Sequence, residues 1–478
     1  MEQTQYRDLD VFLSTIESLR GNYFSFDKKI HINRCPGRLD LMGGNDDYTG
    51  GLVFETTIQE TTIFGAQERE DTDFYLKNPS VEQWGWAETI HFSLQDIMNG
   101  GILRDITEIR HFINSDERKS WFTYIVGGLC YLVKEYPEKV RHGLNMYLDS
   151  TIPLGKGVSS SAALETSALK ACAAAYGVEI NGIRLALATQ WVECEISGAA
   201  AGIMDQYAVV KGQENYFTPM ICQPCIELPV VKLPAGIKIW GIDSGVRHSV
   251  GGTAYEAARA ACFMGYQLIT EIEKLQVHSE NQGPLVRFTD PKFEGYLARI
   301  TPTEFRSKYE PLLPEKMKGK EFLRTHSIHL DPYTRILDDI SYAIRKATRY
   351  AVEENNRATL FYQIMSLMPD NPDDLGLAIL AELMHGAHLG YTDCGLGCAE
   401  TDQLVEMVKN ERQNDLFGAK ITGGGAGGTV AILGRDSLRA QEAIERVFDT
   451  YREETGNQPW LFEGSTQGAD AFGIYTLD

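Results

Sequence analysis

Short stretches in which apolar and polar positions alternate run through this chain, and several of them end at a glycine-rich turn. KKIHIN (28–33) and LVFETTI (52–58) read as strands flanking RCPGRLDLMGGNDDYTGG, Arg34 to Gly51. GLNMYLDSTI reads as a strand leading into PLGKGVSSS, Pro153 to Ser161. The AALETSALKACAAAYG that follows is an Ala- and Leu-rich helix ending at Gly177. GAKI and TVAILG, both strand-like, enclose TGGGAGG, Thr422 to Gly428. Helical periodicity spans TRILDDISYAIRKATRYAVEENNRATLFYQIM (334–365) and LGLAILAELMHGAHLG (375–390). Between Gln276 and Thr334 the chain is more polar, carries several prolines and sustains no period. It reads as an insertion or a loosely organised part of a second domain. Strands mixed with helices throughout predict an α+β fold rather than a repeating βαβ array. A boundary is expected near Leu233–Lys238, giving domains 1–235 and 236–478; whether the final strand, FGIYTL, returns to the first domain stays open.

Composition narrows the function classes. A chain of 478 residues with 43% hydrophobic and 23% charged residues has the balance of an ordinary globular protein. It has no uninterrupted apolar stretch of about 20 residues, and MEQTQYRDLD lacks a basic region followed by an apolar core. A soluble protein is expected. The net charge of −21 repels nucleic acid and anionic lipid alike, yet a few backbone N–H groups can still hold a small anion. Nine cysteines without a small-domain framework suit a reducing cytoplasm. Neither Cys222/Cys225 nor Cys394/Cys398 has the other half of a zinc site, so buried thiols are expected.

The clearest chemistry lies at Pro153–Ser161. A glycine loop running into a helix start leaves unpaired N–H groups and the positive end of the helix dipole aimed at one spot, which suits a polyphosphate. Ser159, Ser160 and Ser161 add hydroxyls able to cap the helix, bond phosphate or ligate Mg²⁺. No GxxxxGK[ST] occurs, so this is not a Walker loop. Gly423, Gly425 and Gly428 match GxGxxG formally, but the strand pattern that follows removes the helix a dinucleotide fold needs, which disfavours an oxidoreductase. A strand, glycine loop and strand instead suggest close backbone approach to a ligand or another loop. In the first segment, Asp40, Asp46 and Asp47 could accept hydrogen bonds from sugar hydroxyls, and Arg38 could steady a transferring phosphoryl group. Each of those aspartates could equally belong to a polar hairpin turn. Glu193 and Asp205 sit among small apolar residues, where an unpaired carboxylate is costly; they are a candidate metal ligand and base. Arg247 and His248 precede a helix bearing Tyr255 and Arg259, with His248 the weaker candidate. His385 and His388 lack the Glu of HExxH and read as helix surface or packing.

Taken in order, PGRLDLMGG…DYTGG, PLGKGVSSSAALE and TGGGAGGTV resemble the three motifs of the GHMP small-molecule kinases, and GIMDQY and VRHS…Y are similar to galactokinase stretches. The GRLDLMGG form, ICQP, DSGVRHSVGG and CGLG look more like the kinase domain of plant L-arabinokinase. Where galactokinases have Glu-His, this chain has Gly44 and Asn45. The resemblance implies a two-domain α+β GHMP kinase fold with the active site in the interdomain cleft, ATP and Mg²⁺ as cofactors, and a monosaccharide as partner. It implies Asp205 as the base facing the C1 hydroxyl, with Arg38 keeping it ionised. Ser161 and Glu193 would ligate Mg²⁺, and Pro153, Gly155, Lys156, Gly157, Val158, Ser159, Ser160 and Ser161 would bind ATP. Asp47 and Tyr255 would contact the sugar, with Asp40, Asn45 and Gly425 as further substrate-side positions. L-Arabinose leads as acceptor, with galactose or a uronic acid as alternatives. A non-catalytic sensor is disfavoured because both Arg38 and Asp205 are retained. A cytoplasmic monomer or homodimer is expected.

Overall fold

A computed structural model describes residues 4–247, 253–282 and 285–478. Two antiparallel-rich sheets organise it. The larger has nine strands and is built on Ile30–Met42 paired with Leu52–Glu68, whose other edge pairs with Leu144–Ser150 and Tyr216–Ile221. The final strand, Tyr475–Leu477, pairs antiparallel with the start of Ile30–Met42. The smaller sheet has four strands in the order Leu416–Ile421, Thr429–Arg435, Ile237–Asp243 and Leu461–Glu463. One apolar cluster joins Leu39, Phe54 and Ile58 to Ile237, Phe361, Leu380 and Phe462, so the two halves of the chain share a core.

The glycine-rich segments interrupt these sheets where backbone must approach backbone. The first strand pair shifts register between Pro36 and Arg38 and again between Asp40 and Met42, the local bend a bulge produces. At Gly37 a Cβ would lie 2.5 Å from the Val158 carbonyl oxygen, so only glycine lets this strand meet the loop of Pro153–Ser161. The neighbouring Arg38 N–H then donates to that carbonyl at 3.1 Å. The loop feeds the helix Ser160–Ala175, which lies against the large sheet. TGGGAGG joins Leu416–Ile421 to Thr429–Arg435 as a hairpin turn, as its flanking strand patterns predict.

Two sequence expectations need correction. The helix expected over 334–365 begins only at Ile344 and runs to Ser366. The residues before it are irregular, and Ser341–Tyr342 pair with Met317–Lys318 instead. The polar stretch from Gln276 is not loosely organised: Phe293, Leu297, Phe305, Tyr309, Leu313 and Phe322 form one core with the helices Thr253–Ile272 and Ile344–Ser366. Among the described residues no cysteine is disulfide-bonded, seven of the nine are buried, and no helix is long and apolar enough to cross a membrane.

Candidate active site

The glycine loop, the first strand pair and the turn at Thr422–Gly428 converge on a cavity of about 100 Å³. Gly155, Gly157 and Ser159 to Ser161 form one wall, Gly423 and Gly424 a second, and Asn45, Asp47, Ala201, Gly202 and Tyr255 a third. Arg38, Glu193, Asp205 and Gln206 lie between them.

Arg38 is held from three sides. Its Nε and one terminal nitrogen donate to Asp205 Oδ1 at 2.9 and 2.5 Å, and the other terminal nitrogen donates to the Gly157 carbonyl at 2.8 Å. Glu55, fully buried, lies 3.2 Å from Nε. Burial alone would lower the basicity of this guanidinium, but Asp205 and Glu55 overcome that and raise it. Asp205 occupies the first turn of the helix Met204–Lys211 and is the more exposed partner, with 29% of its side chain accessible. A carboxylate oriented by a fixed guanidinium and open to a cavity is placed to take a proton.

Glu193 enters from a different element. The helix Gly182–Trp191 continues into a π-helical turn, Val192–Ser197, of the kind often found at functional sites. That turn carries Glu193 to within 3.2 Å of Ser161 Oγ, while Gln206 Nε2 donates to its other oxygen at 2.5 Å. Burial and then the Asp205 charge push the Glu193 carboxyl up to about 7. Glu165, fully buried on the helix of the glycine loop, is coupled electrostatically to Glu193 and is pushed up mainly by burial. Periodicity gave no hint of this second acid.

On the third wall, Asp47 accepts the Met204 N–H at 3.2 Å, and burial pushes its carboxyl up to about 6, with the Asp205 charge adding to the rise. Asn45 adopts a left-handed backbone with φ 58° and accepts the Tyr48 hydroxyl at 2.8 Å. Tyr255 borders the same cavity, its ring edge-on to Tyr48 at 6.3 Å between centres.

Several expected site residues lie elsewhere. Asp40 does not reach the cavity: it is fully buried and pairs with Lys420, itself fully buried, at 2.8 Å. Asp46 is likewise turned inward, its carboxylate hydrogen-bonded to Thr49. Gly425 stands outside the cavity lining, against Leu396 and Tyr391. Val158 is buried and contributes its carbonyl to Arg38. Lys156 turns to Asp243 across the two halves of the chain. Pro153, Lys156 and Ser160 line a second cavity, of about 330 Å³, that also holds Trp84, Trp86, Trp121 and Trp460. Trp84 and Trp86 are neighbours in sequence but Trp121 and Trp460 lie far from them, and no local signal links any of the four to the loop. His248 lies outside the described residues. His388 is a packing residue: Ile421 N–H donates to its Nδ1 at 3.3 Å, and Asp402 lies 3.0 Å from its Nε2.

The residues present fit a phosphate-bound divalent cation. Among the described residues no cluster of three or more His, Cys, Asp or Glu side chains forms a self-contained metal site. Ser161 and Glu193 offer two oxygen ligands beside a helix start, the kind of partial set that Mg²⁺ completes with phosphate oxygens and water. The Ser159 hydroxyl is buried and has no hydrogen-bond partner among the described residues, as expected of a group that receives a phosphate oxygen.

A glycine loop at a helix start, facing an Arg–Asp pair from another element on a two-sheet α+β frame, is the arrangement that the resemblance to the GHMP kinases implies. The chain belongs to that family: residues 123–213 match the GHMP kinases N terminal domain and residues 377–453 the GHMP kinases C terminal domain. Residues 24–68 match the galactokinase galactose-binding signature. The L-arabinokinase of Arabidopsis thaliana is 34% identical over 96% of this chain, which spans about half, 48%, of that protein's length. A galactokinase of Chloroflexus aurantiacus is 27% identical over 98% of this chain and 99% of its own. The crystal structure of Lactococcus lactis galactokinase complexed with galactose shares the fold, with a TM-score of 0.70 and 19% identity over 98% of this chain and all of that one.

Proposed function

We propose that this protein is a sugar 1-kinase, transferring the γ-phosphoryl group of ATP to the anomeric hydroxyl of a monosaccharide, L-arabinose first among acceptors. The observation that carries the reading is Arg38 bonded to both Asp205 and the Gly157 carbonyl, between the glycine loop and the Asp47–Tyr255 wall. Asp205 accepts the proton of the C1 hydroxyl as its oxygen bonds to phosphorus and ADP departs. Arg38 orients Asp205 and faces the charge of the migrating group. Catalysis of this kind is positioning and charge stabilisation, to which the base adds about 10²–10⁴-fold. The glycine loop and the Ser159–Ser161 helix start hold phosphates, and the tryptophan-lined cavity beyond the loop takes the base of the nucleotide. Ser161 and Glu193 would hold Mg²⁺, whose contribution is to neutralise phosphate charge. Asp47, Asn45 and Tyr255 are the sugar contacts.

Galactose is the second reading, favoured by the signature match at residues 24–68. The L-arabinokinase similarity and the Gly44–Asn45 departure favour the pentose. A cytoplasmic site of action fits the thiol-rich, disulfide-free chain. The test is ADP release with MgATP across L-arabinose, D-galactose, D-galacturonate, D-glucuronate and L-fucose, with the product read by phosphorus NMR. A C1 phosphate formed from one sugar supports the reading. Failure of every sugar, with ATP still bound, refutes it for this panel and favours a sensor.

A further inference from the structure

Arg259 is not used by the chemistry above, yet it is buried at the edge of the sugar side of the site, and its partner comes from the polar stretch that sequence reading left unassigned. Its guanidinium forks onto Asp331 at 2.8 and 3.0 Å, and its remaining terminal nitrogen donates to the Ala200 carbonyl at 2.7 Å. The same guanidinium sits 4.7 Å from the centre of the Tyr48 ring, whose hydroxyl donates to Asn45. Asp331 is fixed in turn by the Thr334 hydroxyl at 2.7 Å and the Tyr333 N–H at 3.2 Å, and Thr334 bonds His329 at 2.7 Å. Both members of the ion pair are almost wholly buried.

Ala200 gives this network a route to the reacting atoms. Residues 199–203 have no helix or strand to hold them, yet they supply Ala201 and Gly202 to the cavity wall and lead directly into Met204 and Asp205. Met204 N–H bonds Asp47, and Asp205 bonds Arg38. A short irregular segment of this kind keeps its place through tertiary bonds. The Arg259–Ala200 bond is one of these, and Arg259 is itself oriented by Asp331.

We propose that Asp331 is a positioning residue for the sugar side of the site, acting through Arg259 to fix residues 199–203. The inference rests on the sugar-kinase reading for its kinetic consequence, but its structural consequence can be measured without any turnover. A planar, five-donor guanidinium serves two carboxylate oxygens and a carbonyl at once; an amide in its place cannot.

The test uses the full chain with three variants: Asp331→Asn, Arg259→Gln, and the two combined. Hydrogen–deuterium exchange is read first, because it needs no substrate. Asp331→Asn is expected to speed amide exchange across residues 199–206 by about tenfold, while the helix Ser160–Ala175 stays at the wild-type rate. Unchanged exchange across 199–206 overturns the proposal whatever the sugar proves to be. In kinetics, kcat/KM for the sugar is expected to fall about 10–100-fold in each single variant, with KM for ATP within about twofold of wild type. The double variant replaces a buried ion pair with a neutral amide pair. It is expected to regain thermal stability relative to the single variants and not to regain sugar kcat/KM. Recovery of both, or equal losses for ATP and sugar, would show that the pair only stabilises the fold.

Discussion

Gly44 offers a sharp test of how closely this site is built around its own residues. A Cβ added there would lie 2.0 Å from Asp40 Oδ2 and 2.3 Å from the Tyr391 hydroxyl, where unstrained contacts need about 3.5 Å. Neither neighbour can move freely. Asp40 is half of a fully buried pair with Lys420 at 2.8 Å, and complete loss of such a pair costs about 3–5 kcal/mol. Tyr391 donates to the Gly423 carbonyl at 2.6 Å and so holds the turn that forms one wall of the cavity. Overpacking by itself costs about 1–3 kcal/mol. With the ion pair strained rather than broken, Gly44→Ala should lose about 2–4 kcal/mol. A chain of this length has an unfolding entropy near 1 kcal/mol/K, so Tm should fall by about 2–4 °C in a cooperative melt. Turnover should fall as well, through displacement of Gly423. Gly44→Glu, which copies the galactokinase residue, should be worse on both counts and should not gain activity on galactose. Differential scanning calorimetry and the sugar panel read these outcomes. A Gly44→Ala protein that melts within 1 °C of wild type (about 1 kcal/mol) and keeps its activity would refute the argument.

Asp205→Asn should retain nucleotide binding and lose about 10²–10⁴-fold in kcat; near-full activity would remove Asp205 as the base. Burial holds the Glu193 carboxyl near 7 against an ordinary 4.5, so without metal and nucleotide the native state keeps a proton that the unfolded chain releases. Stability should therefore fall as pH rises from about 4.5 to about 7, by up to about 3 kcal/mol from this group, and level off above. Urea unfolding at pH 5, 6, 7 and 8 measures this, and Glu193→Gln should flatten the slope. Trp84→Ala should weaken ATP binding while leaving the KM for sugar unchanged, if the indole-lined cavity holds the nucleotide base; the opposite split would reassign that cavity.

The glycine-rich segments were legible because a bulge, a loop at a helix start and a hairpin turn are local events, written in a few adjacent residues. Glu193 and Asp205 were legible for a different reason: carboxylates surrounded by small apolar residues carry their own desolvation problem in the sequence. Asp40 and Asp47 look alike in that same light, yet one faces inward to Lys420, 380 residues away in the chain, and the other faces the cavity. The two register shifts in Ile30–Met42 change which face a side chain presents, and no two-residue period can anticipate them. The stretch from Gln276 misled in the opposite sense. Its core residues are carried on turns and on helical segments of five residues or fewer, so Phe293, Phe305, Tyr309 and Phe322 follow no sustained helical or strand period although all are buried. Asp331 and the four tryptophans acquire roles only through tertiary contact.

The charges around the cavity dictate how an anion can enter it. Asp47, Glu193 and Asp205 line it, and Glu55 lies directly against Arg38. Three of the nearby cations are already engaged, Arg38 with Asp205 and Glu55, Lys156 with Asp243, and Arg259 with Asp331, while Arg247 lies against Gly155 and over the Trp84 ring. A polyphosphate approaching this surface meets more negative charge than uncommitted positive charge, and the backbone N–H groups of the glycine loop supply only partial charges. A divalent cation on Ser161 and Glu193 would reverse that balance by displacing the Glu193 proton and bringing two positive charges of its own. ATP binding followed by tryptophan fluorescence should therefore weaken at least about tenfold when EDTA replaces Mg²⁺, and more at pH 8 than at pH 6, because at pH 6 the proton on Glu193 already relieves part of the repulsion and has to be displaced by the metal. Equal ATP affinity with and without the metal, at about 0.15 M salt, would show that the carboxylates set no barrier and that the loop binds phosphate unaided.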